Sequence, residues 1–230
     1  VKEILRDRRT FYCYAEIENL RRALLDEPTT LTVRDLGAGS KTNSSAQRTI
    51  ASIARSAATP PEFAQLLFRM AAAYQCKNIL ELGTSLGLTS LYLSSASRET
   101  SVITLEGDET ISGLAWKHFQ LLNRKNILLL TGAFEQTLPQ AMAIMKNIDL
   151  VYLDGNHRKE PTWQYFNAVF PRLHEKSIVV AGDIHWSREM KEAWQQLRCH
   201  PAVTVSIDLF YAGILFFRKE LSKQNFVIRN

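Results

Sequence analysis

The sequence has no apolar run of the roughly 18–20 residues that a membrane-crossing helix needs, and no charged–apolar–small pattern at its start that would mark a secretory signal. Cysteine is scarce. Cys13, Cys76 and Cys199 are odd in number and far apart, which excludes a CxxC metal site and a disulfide framework and fits a reducing compartment, the cytoplasm. Internal repeats and low-complexity tracts are absent. Clustered charge is absent too: the net charge is +5 and the pI about 9.2, but the basic groups (Arg6, Arg8, Arg9; Arg21, Arg22) are short and interrupted by acids. Solvated surface is therefore the expectation, with no membrane partner and little case for a nucleic-acid partner. The chain opens on Val1 rather than Met, so an upstream stretch is expected.

What is present is a 230-residue chain with 46% hydrophobic and 22% charged residues, enough for one α/β domain and a small additional element. Residues 2–25 read as one or two amphipathic helices, broken by Asp26-Glu27-Pro28. The letters DLGAGS at Asp35–Ser40 imitate a cofactor-binding glycine motif, but KTNSSAQ follows instead of an apolar helix. The stretch is expected to be a lid or entry loop beside the real site. Arg48–Ala57 forms a short helix. Thr59-Pro60-Pro61-Glu62 then combines an N-cap, a helix-opening proline and a glutamate, ahead of the apolar stripe Phe63, Leu66, Leu67, Met70, Ala71 and Tyr74. These features divide the chain into an amino-terminal helical or lid segment, 1–58, and a main domain, 59–230.

From Asn78 onward, strand and helix alternate. Ile79–Leu82, Val102–Leu105, Ile127–Leu130, Ile148–Leu153 and Ile178–Ala181 are each followed by a helical stretch, which implies right-handed crossovers and a parallel sheet covered on both faces. Val203–Leu209 and Ile214–Phe217 are separated only by FYAG, a link that permits a hairpin and not a crossover. The expected fold is α/β, a Rossmann-like doubly wound sheet of seven strands, mostly parallel, with a carboxy-terminal antiparallel hairpin and an amino-terminal helical extension.

Ligands of such sheets bind beyond the carboxyl ends of the strands. In this chain those ends carry Glu81-Leu82-Gly83-Thr84-Ser85-Leu86-Gly87, Glu106-Gly107-Asp108, Thr131-Gly132-Ala133-Phe134, Asp154-Gly155-Asn156-His157 and Gly182-Asp183-Ile184-His185-Trp186. Small, acidic and hydrogen-bonding residues at five strand ends describe a functional rim. Glu106, at the end of the second strand, is placed to accept bonds from two ribose hydroxyls, while Asp108 suits the N-cap of the next helix. The glycines are spaced GxxxG with no third glycine, which disfavours a nicotinamide dinucleotide and leaves an NAD-dependent dehydrogenase remote.

With these residues in place, ELGTSLGLTSLYLS, VITLEGD, LLLTGAF and DLVYLDGNH together resemble the class I S-adenosylmethionine-dependent methyltransferases, within them the O-methyltransferase branch of catechol-type and sugar or macrolide enzymes. The resemblance runs from about Pro60 to Phe217. It implies that Glu81 and the turn Gly83, Thr84, Ser85, Gly87 face the methionine part of S-adenosylmethionine, and that Thr89 helps hold its carboxylate. It implies further that Glu106 with Gly107 takes the ribose hydroxyls and that Gly132, Ala133 and Phe134 surround the adenine. Asp154 would sit beside the sulfonium and the acceptor. Relatives that use a divalent cation place an adjacent acidic pair at the fifth strand end. Here Gly182 precedes Asp183, leaving Asp154 and Asp183 as the ligands of an optional Mg²⁺.

Asp154, His157, Asp183 and His185 are the candidate catalytic residues, the imidazoles being suited to take a hydroxyl proton. Tyr152, Trp163 and Trp194 read as core, with Trp186 a candidate flank for an aromatic acceptor. The expected function is methyl transfer to a small-molecule acceptor, at a hydroxyl oxygen, with a homodimer through the amino-terminal segment as a further expectation. Two other readings stand beside it. One is a cofactor-binding module of the same fold with lost or altered catalysis. The other is a nucleic-acid methyltransferase, against which DGNH stands where an (N/D)PP(Y/F) motif would be needed.

Overall fold

A computed structural model of the chain describes residues 2–33 and 46–229; the DLGAGS stretch at Asp35–Ser40 lies outside them. The amino-terminal segment holds α1 (Lys2–Arg6), α2 (Tyr12–Leu25), the paired short strands β1 (Thr30–Thr32) and β2 (Gln47–Thr49), and α3 (Ile50–Ser56). Then follow α4 (Pro61–Ala73), β3 (Asn78–Leu82), α5 (Leu88–Ser94), β4 (Ser101–Glu106), α6 (Glu109–Leu121), β5 (Ile127–Thr131), α7 (Phe134–Ile144) and β6 (Ile148–Leu153). The last third contains α8 (Lys159–Val169), β7 (Leu173–Gly182), α9 (Arg188–Cys199), β8 (Val205–Asp208), β9 (Ala212–Phe216) and β10 (Gln224–Val227).

The main sheet runs β10-β8-β9-β7-β6-β3-β4-β5. The five strands from β5 to β7 are parallel, whereas β9 is antiparallel to both β7 and β8. It has eight strands, not the expected seven. The additional strand, β10, pairs in parallel with β8 and is exposed at all four residues. An edge strand with no buried face needs no apolar alternation, so nothing in its residues announces it.

The parallel strands are apolar on both sides because both sides are covered. Leu80, Leu82, Val151, Leu153, Val179 and Ala181 pack under α7, α8 and α9. Ile79, Val102, Leu150, Ile178 and Val180 meet Phe63, Leu66, Leu67 and Met70 of α4. A third cluster joins Ile17 of α2 and Ile53 of α3 to Phe68, Leu91, Tyr92 and Phe119, so the amino-terminal helices share a core with α4, α5 and α6.

The chain winds outward from β3 through β4 to β5, then returns to place β6 on the other side of β3. That reversal opens a crevice beyond the carboxyl ends of β3 and β6. The start of α4 bears on it. Thr59 is not the N-cap: α4 begins at Pro61, and Pro60 occupies the cap position with extended backbone (φ −55°, ψ 146°) and no side-chain cap bond. A residue before proline is driven out of the helical region, so Pro60 cannot open the helix itself and the start slips by one residue. The Thr59 hydroxyl is thereby released toward the crevice.

Candidate active site

At the end of β3 the backbone turns through three positive-φ positions, Gly83 (102°), Ser85 (49°) and Gly87 (81°). The turn is held from below, since Gly83 and Thr84 both donate their N–H groups to the Leu105 carbonyl, at 3.0 and 3.2 Å. On its far side the His118 ring nitrogen Nδ1 lies 2.8 Å from the Leu86 carbonyl. Gly83 passes so close to β6 that a Cβ there would lie 2.3 Å from the Asp154 carbonyl oxygen. Thr84 points inward, its hydroxyl 2.6 Å from that of Thr104.

Glu81 lies beneath the turn with no exposed surface. Its Oε2 accepts bonds from the hydroxyls of Ser90 and Thr104, while Oε1 has no partner. Burial pushes this carboxyl up to about 8, against the two hydroxyl bonds. Between the ordinary 4.5 and about 8, the folded protein keeps a proton that the unfolded chain has released, so stability falls as pH rises through that window. Thermal melts of wild type and Glu81→Gln should show it. The variant's melting temperature, relative to wild type, is expected to rise by about 4–8 °C between pH 5 and pH 8. A difference that does not change with pH would contradict this.

Glu106, at the end of β4, faces the same turn. Its Oε2 accepts from the Ser85 N–H at 2.8 Å and its Oε1 from the Asp108 N–H at 3.0 Å, with the Gly107 N–H also directed at the carboxylate. Burial raises its pKa in spite of these bonds. Asp108 caps α6 as expected, Oδ1 accepting from the Ile111 N–H at 2.8 Å. Gly132 (φ 134°) donates its N–H to the Glu106 carbonyl, and Ala133 then leads into α7. The Phe134 ring stands edge-on to Tyr165 with centroids 5.5 Å apart. It leans over Gly155, where a Cβ would come within 2.6 Å of it.

Thr59, Gly83, Ser85, Thr89 and Asp154 share the walls of one narrow cleft at the switch point. Asp154 keeps part of its surface open to this cleft, yet the surrounding protein pushes its carboxyl upward, chiefly by desolvation. Its Oδ2 is 3.4 Å from the Thr59 hydroxyl. Its Oδ1 lies over Gly182, where a Cβ would come within 2.3 Å. The glycine in place of an acid before Asp183 therefore makes room for Asp154.

Asp154, His157 and Asp183 each offer one ligand atom within 4.8 Å of the others. His157 Nε2 is 3.6 Å from Asp183 Oδ2, and its ring centroid is 6.0 Å from that of Trp186. His185 is drawn elsewhere: Nε2 is 2.8 Å from Asp208 Oδ2, and the ring stacks on Phe210 (5.2 Å, 13°). Asp208 also accepts from Arg229 at 3.0 Å. Asp208 and Thr59 escaped the sequence reading. Asp208 ends an apolar strand without the glycine that marked the other rims, and Thr59 carried a cap signature.

The larger cavity lies away from the strand ends, between the α1–α2 link and α4, and most of its charged groups are matched within the protein. Arg9 is paired with Asp7, and Arg69 donates to the Ile4 carbonyl and the Tyr14 hydroxyl. Size favours that cavity, but the strand-end chemistry is in the narrow cleft.

Residues 80–184 match the family model described as a methyltransferase domain. No curated protein matches the sequence significantly. Among solved structures, the chain is similar to the O-methyltransferase TomG from Streptomyces achromogenes, crystallised in complex with SAM: 19% identity, 70% of this chain and 82% of that one, TM-score 0.62. It is similar to the O-methyltransferase from Bacillus cereus in complex with SAH: 14% identity, 94% and 95% coverage, TM-score 0.63. A third likeness is to the SAH-bound methyltransferase PaMTH1 of Podospora anserina: 15% identity, 70% and 80% coverage, TM-score 0.61. At such identities the likeness to these structures is one of fold. The family match over residues 80–184, just under half of the chain, and the fold shared with these structures agree on a methyltransferase-type fold.

Proposed function

We propose that the protein transfers the methyl group of S-adenosylmethionine to a hydroxyl oxygen of a small molecule. One observation carries this reading: the crevice has the Glu106 carboxylate on one side of the Gly83–Gly87 turn and the Asp154, His157, Asp183 group on the other.

The residues fit the donor. Glu81 Oε1 is a buried acceptor without a partner, suited to an ammonium group. Gly83, on the cleft wall, lets the turn lie close against the Asp154 backbone, which shapes the donor's side of the crevice. Thr89, in the first turn of α5 and on the cleft wall, offers a hydroxyl to the methionine carboxylate. Glu106 would accept from the ribose hydroxyls, with Gly132, Ala133 and Phe134 against the adenine. When bound, the donor supplies a methyl carbon made electrophilic by its sulfonium. The protein holds the acceptor oxygen in line with that carbon, and positioning supplies much of the rate. His157 takes the hydroxyl proton at Nδ1, with the Asp183 carboxylate, 3.6 Å from Nε2, orienting the ring.

Among the described residues, the grouping of two carboxylates and an imidazole within 4.8 Å favours a second reading, in which they share a divalent cation that acidifies the acceptor hydroxyl. One nitrogen and two oxygen donors suit Mn²⁺ or Fe²⁺ better than Mg²⁺. The three free thiols accord with action in the reducing cytoplasm.

Calorimetry with S-adenosylmethionine tests the donor. Glu106→Gln is expected to weaken binding by about tenfold to a hundredfold, as charge-assisted bonds to the ribose are lost. Absence of binding to the folded wild type at millimolar donor would sink the proposal. A panel of catechols and sugar alcohols, read by product mass before and after chelation, then separates the readings. Transfer that survives EDTA supports His157 alone, and transfer restored by Mn²⁺ supports the cation. Donor binding with no transfer across the panel supports a module without turnover.

A further inference from the structure

Two hydroxyls converge near Asp154, one from the link that precedes α4 and one from β6 itself. Thr59 is buried at the junction of the amino-terminal helices with α4, and its Oγ1 is 3.4 Å from Asp154 Oδ2. Tyr152, buried in β6 two residues before Asp154, puts its own hydroxyl 3.4 Å from the same Oγ1 and within hydrogen-bonding reach of the carboxylate. The Tyr152 ring is buried and packs edge-on against Phe63 of α4 (6.0 Å, 74°), which restrains its hydroxyl. The other carboxylate oxygen occupies the space left by Gly182. Asp154 thus has one oxygen over Gly182 and the other facing the Thr59 hydroxyl, with the Tyr152 hydroxyl beside both Thr59 and the carboxylate.

We infer that Thr59 and Tyr152 are positioning residues that hold the Asp154 carboxylate toward the sulfonium of the bound donor. The inference rests on the proposed donor site. At 3.4 Å these contacts are longer than the roughly 2.5–3.0 Å of a formed O–H···O bond. Contacts of this kind tighten when a ligand closes the site. Thr59 also makes the amino-terminal helices part of the donor site, because it is the link through which α3 and α4 touch the carboxylate.

A fixed carboxylate beside a sulfonium favours the cationic donor over its neutral thioether product. The readout is therefore the ratio of dissociation constants for S-adenosylhomocysteine and S-adenosylmethionine, measured by calorimetry without any acceptor. Asp154→Asn is expected to lower that ratio. Thr59→Val and Tyr152→Phe should each lower it about threefold or more in the same direction, while Thr59→Ser keeps the wild-type value. Thermal melts run alongside, and Thr59→Ser and Tyr152→Phe, which preserve hydroxyl or volume, keep the test valid if Thr59→Val does not fold. If Asp154→Asn lowers the ratio and the hydroxyl variants keep the wild-type value, the positioning inference is overturned and the donor site stands. If the folded wild type binds neither compound, the donor site itself falls and the inference with it.

Discussion

Gly83→Ala is expected to abolish measurable donor binding and to lower stability by about 3 kcal/mol or more. Two independent strains add at this position. The backbone sits at φ 102°, which a side chain rarely adopts, and the new Cβ would lie 2.3 Å from a backbone carbonyl oxygen, that of Asp154. Backbone cannot yield as the end of a flexible side chain can, so β3 and β6 would have to separate at their carboxyl ends. That is where the donor is proposed to sit. Gly113→Ala is the matched control, because Gly113 lies inside α6 with nothing within 4 Å of its new Cβ. It is expected to be neutral or to stabilise by about 0.5–1 kcal/mol. Urea unfolding and donor calorimetry on both variants decide the matter. Equal behaviour of the two would show that the approach of β3 to β6 is not needed.

His157→Ala is expected to reduce kcat by about 10²–10⁴, with donor affinity within a few-fold of wild type. The expectation comes from placement: His157 shares its neighbourhood with Asp154 and Asp183, whereas His185 gives its Nε2 to Asp208 and its face to Phe210. His185→Ala should therefore cost much less in kcat and show itself mainly in the melting temperature. Steady-state kinetics on the two variants, with whichever acceptor the panel identifies, tests the assignment. The opposite ranking would transfer the base to His185.

The central alternation of strands and helices was legible because strands buried on both faces must be apolar, and the helices between them carry their own periodicity. The donor turn was legible for a related reason: a chain that leaves a buried strand and re-enters a helix needs residues tolerant of positive φ. Three features escaped. β10 buries no face, so Gln224–Val227 has no pattern to betray it. β7 begins at Leu173, several residues before Ile178, because Leu173 already pairs with Ile148, and the polar residues 174–177 form a register shift that carries no strand pattern. Thr59 was hidden behind a local signal. Its neighbours spell a helix cap, and only the second proline, which bars Pro60 from the helix, turns the hydroxyl to a residue far along the chain. Pairings such as Thr59 with Asp154 or His185 with Asp208 depend on where strands arrive in space, and one-dimensional spacing carries no record of them.

The backbone of the rim has a consequence for how this protein would respond to selection. Ser85, Asn156, Asp183 and Phe210 all sit at φ between 49° and 76°, and each lies just past the end of a sheet strand. Glycine would relax every one of them. A population selected for thermal tolerance alone should drift toward glycine at these four sites, accumulating robust folds that have lost the carboxylate at 183 and the hydroxyl at 85. Selection for turnover would pull the other way. The two pressures therefore meet at Ser85 and Asp183, which belong to the site, whereas at Asn156 and Phe210 only the relief of backbone strain is in play.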